Sequence, residues 1–326
     1  MKIEKSFSGL FEEWTLSNSS NHDLIRIVPA AGGNISFIRL KEKTILSGIE
    51  NESELGENKS YSSAILFPWG NRINNGRYFF NGVSYQLPIN DASSHHAIHG
   101  YVCTKPFIVS DTITDEHKCQ LRMKLNDNGK YHGYPFPFIL DVSVTLYANS
   151  LLTIDFLVEN TGKTKMPLVL GWHPYFSFDM ENVSNWEIRF SALAKYKLNE
   201  FNIPISTIKM NHLEEHCILI EDKYLNEAFH LNPSDDRVAT VILRSNITGH
   251  EIKLLQRGDE KQFDYLVVYT PSHRKSIAIE PMSGCINAFN NNDGLVSLAP
   301  GNNVKFSIGV EIIEYSFSNN PKAIRC

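Results

Sequence analysis

The chain has 326 residues, 42% hydrophobic and 21% charged, which is enough for a sizeable buried core. Its 36 acidic and 31 basic side chains leave a formal charge of −5, which argues against nucleic acid as a partner. No apolar run approaches the length that spans a bilayer, and the charges in MKIEKSFSGLFEEW interrupt what a secretory signal needs.

In chain order, the first strong structural signal lies at residues 78–85. There Asn81-Gly82 separates two β-prone runs and predicts a hairpin, because both residues tolerate positive φ. Residues 140–146 alternate apolar and polar side chains, and Leu152, Ile154, Phe156 and Val158 repeat that period. A short helix is predicted near residues 222–229. Residues 276–279 read as a strand, with Pro281 stopping the ladder because it has no N–H. Val304, Phe306, Ile308, Val310 and Ile312 complete the series. A helical period is never sustained over three turns, and no repeat, low-complexity tract or linker interrupts residues 1–326. The pattern predicts an all-β chain forming one antiparallel sandwich domain. Cys103, Cys119, Cys217, Cys285 and Cys326 are scattered, odd in number and without a CxxC pair. That argues against a disulfide framework and against a cysteine-built zinc site, and a reducing cytoplasm is the simplest location.

Four polar clusters sit in this β-rich context: residues 67–73 (FPWGNRI), 95–100 (HHAIHG), 171–176 (GWHPYF) and 277–282 (IAIEPM). Taken singly, each has a structural explanation. Glu280 could be half of a buried ion pair, His173 a hydrogen-bonded core histidine, Arg72 a surface residue, and Trp69 and Trp172 core aromatics. His95, His96 and His99 are close enough in sequence to suggest a metal. Adjacent His95 and His96 would point to opposite faces of a strand, however, and no acid follows them. There is no nucleophile elbow, reactive-cysteine context or glycine-rich phosphate loop. An acid/base site of histidine, glutamate and arginine remains, with neither metal nor organic cofactor expected.

Together the clusters resemble the aldose 1-epimerase (galactose mutarotase) family. The resemblance runs through residues 67–73, then GRY at 76–78 and NGVSYQL at 81–87, to IHG at 98–100 and HPYF at 173–176. It ends with YTP at 269–271, AIEPM at 278–282 and NAFN at 287–290. It implies a galactose mutarotase-like supersandwich of antiparallel sheets, cofactor-free, acting on a small-molecule sugar as a monomer or homodimer. It also implies roles, with Glu280 as general base and His173 as general acid. His99 and Arg72 would hold ring and hydroxyl oxygens, Asn71 lies adjacent, and Tyr175 belongs to the same substrate-binding set. Two departures stand out. Tyr101 follows Gly100 where the family often has a second glycine. Asn226 occupies the place of an aspartate that binds sugar hydroxyls, and Asp222 is the candidate to compensate.

Such a site suits mutarotation, in which a hemiacetal opens and recloses. A base takes the proton of the anomeric hydroxyl while an acid protonates the ring oxygen, each within roughly 2.6–3.2 Å of its oxygen. The expected starting state has Glu280 ionised and His173 protonated. Three other readings stay open. One is an epimerase for a phosphorylated or uncommon sugar. Another is a sugar-binding or sensing module without catalysis, and the third is a lyase or isomerase on the same fold.

Overall fold

The computed structural model describes residues 1–48, 52–179, 181–258 and 263–314. Its period-two segments are strands, as their alternation requires. Among the described residues the largest sheet has nine antiparallel strands. Their order is His216–Leu219, Trp186–Phe190, Val238–Ser245, His250–Gly258, Asn303–Glu314, Leu152–Asn160, Phe138–Tyr147, Lys118–Asp127 and Ile108–Thr114. A second sheet runs Pro204–Lys209, Ala192–Leu198, Asn226–Leu231, Tyr265–Tyr269, Ile277–Met282, Gly171–His173 and Ala64–Leu66, with Tyr175–Phe176 also pairing to Ile277–Met282. A five-stranded meander spans Lys2–Ser8 to Lys43–Ser47. The all-β, supersandwich-type expectation is met.

Register explains why the large sheet holds. Leu121, Val144, Ile154 and Ile308 face one another across four strands and are at most 1% exposed. Phe156 stands between Val142 and Phe306 in the next row. Fully burying each such side chain contributes roughly 1.5–3 kcal/mol, so a one-residue slip, which would turn the whole set outward, is strongly disfavoured. Gln256 interrupts the apolar row opposite Ile308. Its buried amide donates to the carbonyls of Phe263 and Tyr265, at 3.2 and 3.0 Å. That bond ties the nine-stranded sheet to the sheet that carries Glu280.

The hairpin signal is also met, with Arg77–Phe80 pairing to Val83–Gln86 and Asn81 and Gly82 both at positive φ. The helix predicted near residues 222–229 does not form. Asn226–Leu231 is a strand, paired on one side to Ala192–Leu198 and on the other to Tyr265–Tyr269, and it buries Ala228, Phe229 and Leu231. Ladder bonds on both edges outweigh the weak helical preference of these residues. The α-helices among the described residues are instead Glu52–Glu57 and Ala288–Asn291. Cys103, Cys119 and Cys285 are free and buried.

Where the chain leaves the histidine loop, the backbone of Gly100 lies against Phe67. Phe67 O accepts from the N–H groups of Tyr101 (3.0 Å) and Val102 (3.4 Å). Gly100 has φ +68°, and a Cβ there would stand 1.9 Å from Phe67 O. Gly100→Ala is expected to destabilise the protein by about 2–4 kcal/mol. A thermal-unfolding midpoint within about 1 °C of wild type would contradict this reading of the contact.

Candidate active site

The strand Ile277–Met282 is buried throughout and delivers Glu280 opposite Val267. On its other side it pairs with Gly171–His173 only at Gly171–Met282, and again with Tyr175–Phe176 at Ala278 and Ile277. Between these points lie Pro174 and Pro281, two residues without an N–H to give to a ladder. Only Ile279 N–H reaches across, to Pro174 O at 3.4 Å. Pro281 therefore does not end the strand, as the sequence suggested. It sits inside the strand, where the two chain segments part. His173 and Glu280 face each other there, with Nε2 and Oε1 3.3 Å apart and both residues under 5% exposed. Gly171–His173 is fixed from behind by Ala64–Leu66, and the Trp172 indole donates to Ser63 Oγ at 3.1 Å.

His99 approaches from the opposite wall. Its backbone is left-handed, with φ +63°, and its Nδ1 lies 3.0 Å from Gly70 O. Only a protonated Nδ1 can donate to a carbonyl, so Nε2 of the neutral ring is a bare acceptor. It can accept a hydrogen bond from a sugar hydroxyl but has no donor for a ring oxygen. The His99 and His173 rings meet edge to face, with centroids 5.2 Å apart. Tyr175 covers His173 from the other side, at 4.9 Å. Asn71 accepts the Arg72 N–H through Oδ1, at 2.8 Å, which leaves its amide donors for a ligand. Arg72 Nε pairs with Asp91 Oδ2 at 3.2 Å. Asn226 donates to Asn202 Oδ1 at 2.8 Å.

All seven residues singled out from the sequence, Asn71, Arg72, His99, His173, Tyr175, Asn226 and Glu280, line one cleft of about 620 Å³. Asp222 does not line it and lies on an exposed turn, so it does not compensate for Asn226. The cluster of His95, His96 and His99 is not assembled either. His95 is exposed, and His96 Nδ1 accepts from Asn75 N–H at 3.1 Å. The donor atoms that do converge, within 4.8 Å of one another, belong to His99, His173 and Glu280. Sequence reasoning missed Asp91, which anchors Arg72, and Asn90. Asn90 clamps the histidine loop by accepting from Ile98 N–H (2.7 Å) and donating to Ile98 O (2.9 Å). Both lie in the stretch just before the histidines, where Asn-Asp reads as an ordinary turn.

Burial governs protonation. Desolvation raises the Glu280 carboxyl from 4.5 to about 8, against an opposing pull from Arg72. It lowers His173 from 6.5 to about 4 and takes His99 well below its ordinary value. Burial therefore works against the charged form of both members of the pair. Removal from water thus opposes the ionised Glu280 and protonated His173 expected from the sequence, which attraction between opposite charges favours.

The family model described as aldose 1-epimerase matches residues 14–311. The uncharacterized protein YihR of Escherichia coli is 28% identical over 239 residues, covering 73% of this chain and 74% of YihR. A galactose mutarotase-like protein from Clostridium acetobutylicum superposes with a TM-score of 0.85 at 19% identity, over 96% of this chain and 98% of its own. Galactose 1-epimerase from Lactobacillus acidophilus superposes with a TM-score of 0.78 at 16% identity, over the same shares. At these identities the structural likeness is one of fold.

A stability prediction follows from the raised carboxyl. The folded state binds the Glu280 proton more tightly than the unfolded state. The stabilisation is thus complete below about pH 4.5 and is lost as pH rises through about 8. Gln cannot ionise, so the melting temperature of Glu280→Gln should gain on wild type steadily between about pH 5 and pH 8. A difference that stays constant over that range would show that this carboxyl does not titrate as a buried group.

Proposed function

This chain belongs to the aldose 1-epimerase family, and on that premise we propose that it interconverts the α and β anomers of a free aldose by proton transfer through His173 and Glu280. The observation that carries the reading is the 3.3 Å approach of these two groups in the wall of a cleft large enough to hold a sugar. The anomeric hydroxyl and the ring oxygen share one carbon, so the groups serving them must converge, as these do. Glu280 Oε2 and His173 Nδ1 are buried without a hydrogen-bond partner among the described residues, a costly arrangement that an incoming polyol can relieve.

Sugar hydroxyls donating to Glu280 stabilise its carboxylate, and the proton moves to His173 across the short gap. Glu280 then removes the anomeric O–H proton as His173 protonates the ring oxygen, and the carbon–oxygen bond of the hemiacetal breaks. The open aldehyde turns about its first carbon–carbon bond and recloses with both transfers reversed. Arg72 supplies a fixed positive charge beside the oxygens, held in place by Asp91. His99 Nε2 accepts a hydrogen bond from a sugar hydroxyl, and Asn71 and the Asn226–Asn202 pair offer neutral donors and acceptors. The cations that line the cleft, Arg72 and Lys59, each face a carboxylate, Asp91 and Glu57 respectively. That favours a neutral sugar over a phosphorylated one.

Polarimetry on freshly dissolved α-glucose or α-galactose tests this directly. Glu280→Gln should still bind sugar while its kcat falls by about 10²–10⁴-fold. Wild-type exchange rates in that variant would remove Glu280 from the chemistry, and tight sugar binding without any acceleration by the native protein would favour a sensing module. A second measurement concerns pH. Activity needs one proton on the pair, so kcat/KM should be flat between limbs near pH 4, where the pair gains a second proton, and near pH 8, where it loses the first. A single limb near 6.5 would point to an ordinary exposed histidine instead.

A further inference from the structure

The cleft is wider than one pyranose. Its lining takes Asn226, then Val267 and Tyr269, then Glu280, then His173, from four neighbouring strands of one sheet. Beyond His173 comes Ala64–Leu66, on which Tyr61 and Cys103 pack. Four adjacent strands at about 4.8 Å spacing measure about 14 Å. A pyranose spans four or so bond lengths between opposite hydroxyls, roughly 6 Å at about 1.5 Å per bond. The volume of about 620 Å³ falls in the middle of the range that encloses drug-sized molecules, which have roughly twice the atoms of a hexose.

The reacting pair divides this length unequally in character. One end carries the amides of Asn226 and Asn202. The other carries half-buried aromatic rings. Tyr61 packs against His99 with centroids 4.6 Å apart, and Tyr131 lies flat on Tyr101 at 3.8 Å and 2°. The Tyr61 hydroxyl accepts from Asn90 at 3.1 Å, and Thr104 stands exposed at the rim. Stacked, fixed aromatic faces flanked by hydroxyls and amides match the C–H face and hydroxyl rim of a sugar ring.

We propose that the cleft has a second sugar subsite at the Tyr61–Tyr131 end, and that the preferred substrate is a reducing disaccharide or longer oligosaccharide. This rests on the epimerase reading. Only the reducing unit has a free hemiacetal to open, so it must lie over His173 and Glu280. The next unit, joined through one of the other hydroxyls, is a locked acetal that is bound and not altered. Its contacts are the same in both anomers of the reducing end, so they strengthen capture of the substrate without biasing the equilibrium.

The test compares glucose with maltose, isomaltose and lactose as probes of the purified protein, with anomer exchange followed by NMR. At least one disaccharide should exceed glucose in kcat/KM by about tenfold, the equivalent of one modest stacking contact. Tyr131→Ala should raise KM for that disaccharide about ten times more than for glucose. Tyr131 touches core aromatics, so Thr104→Trp, which fills the subsite from an exposed position, is the companion variant and should shift the same ratio. A glucose kcat/KM equal to or above that of every disaccharide overturns the subsite and leaves the epimerase reading standing. So do variants that change both sugars alike. Failure to accelerate exchange of any of the four sugars overturns the epimerase reading, and the subsite falls with it.

Discussion

A glutamate and a histidine buried side by side, each left with a polar atom unpaired, form the constraint on which the site depends. Nothing in the packing requires a carboxylate inside a strand whose six residues are all buried. A hydrocarbon of similar size would be cheaper there. The strand tolerates Glu280 because the ladder opens beside it. Pro174 and Pro281 remove two donors at the same joint, and the neighbouring segments separate between Gly171 and Tyr175. At this joint, where two N–H groups are missing, the two side chains that line the cleft confront each other.

The rest of the fold keeps that joint from relaxing. The nine-stranded sheet is bonded to the site-bearing sheet through Gln256. The opposite wall is irregular chain, and there precision comes from local bonds. His99 is held in a left-handed conformation by Gly70 and Asn71, Gly100 fits against Phe67 where no side chain would, and Asn90 clamps Ile98 on both its N–H and its C=O. Strain of this kind persists only where the surroundings over-determine it. One wall is therefore rigid by packing and the other by hydrogen bonding.

Most of this framework was readable from the chain. Alternation in residues 140–146 and 304–312 gave the strands because a half-buried sheet has no other way to divide its faces. Six of the seven cleft-lining residues, Asn71, Arg72, His99, His173, Tyr175 and Glu280, were singled out because four short motifs in order identify a family, and Asn226 because it stands where the family has an aspartate. The misreadings have physical causes. Residues 222–229 carry little intrinsic preference, and their state is decided by two partner strands that are distant in sequence. Pro281 looked terminal because a proline's cost depends on whether a partner strand needs its N–H, which the sequence does not display. Asp91 and Asn90 were invisible because their roles lie in what they hold. The expected charge state of the pair weighs attraction between opposite charges, which can be guessed from residue types, whereas the desolvation that opposes it can only be read from burial.

Burial and chemistry are linked at a deeper level in the proposed reaction. Ring opening moves one proton from the anomeric oxygen to Glu280 and one from His173 to the ring oxygen. Reclosure returns both along the same paths. The pair ends each turnover with the same single proton it began with, and no water is consumed. A hydrolase could not work this way, since it must admit water and exchange protons with it. A site that merely shuttles a proton between two fixed groups can be closed to solvent without loss. Exclusion of water then brings the carboxyl toward neutral pH and lowers the imidazole, so one proton is retained over a broad range. The feature that makes Glu280 and His173 expensive to fold is, on this account, the one that sets their proton count for the reaction.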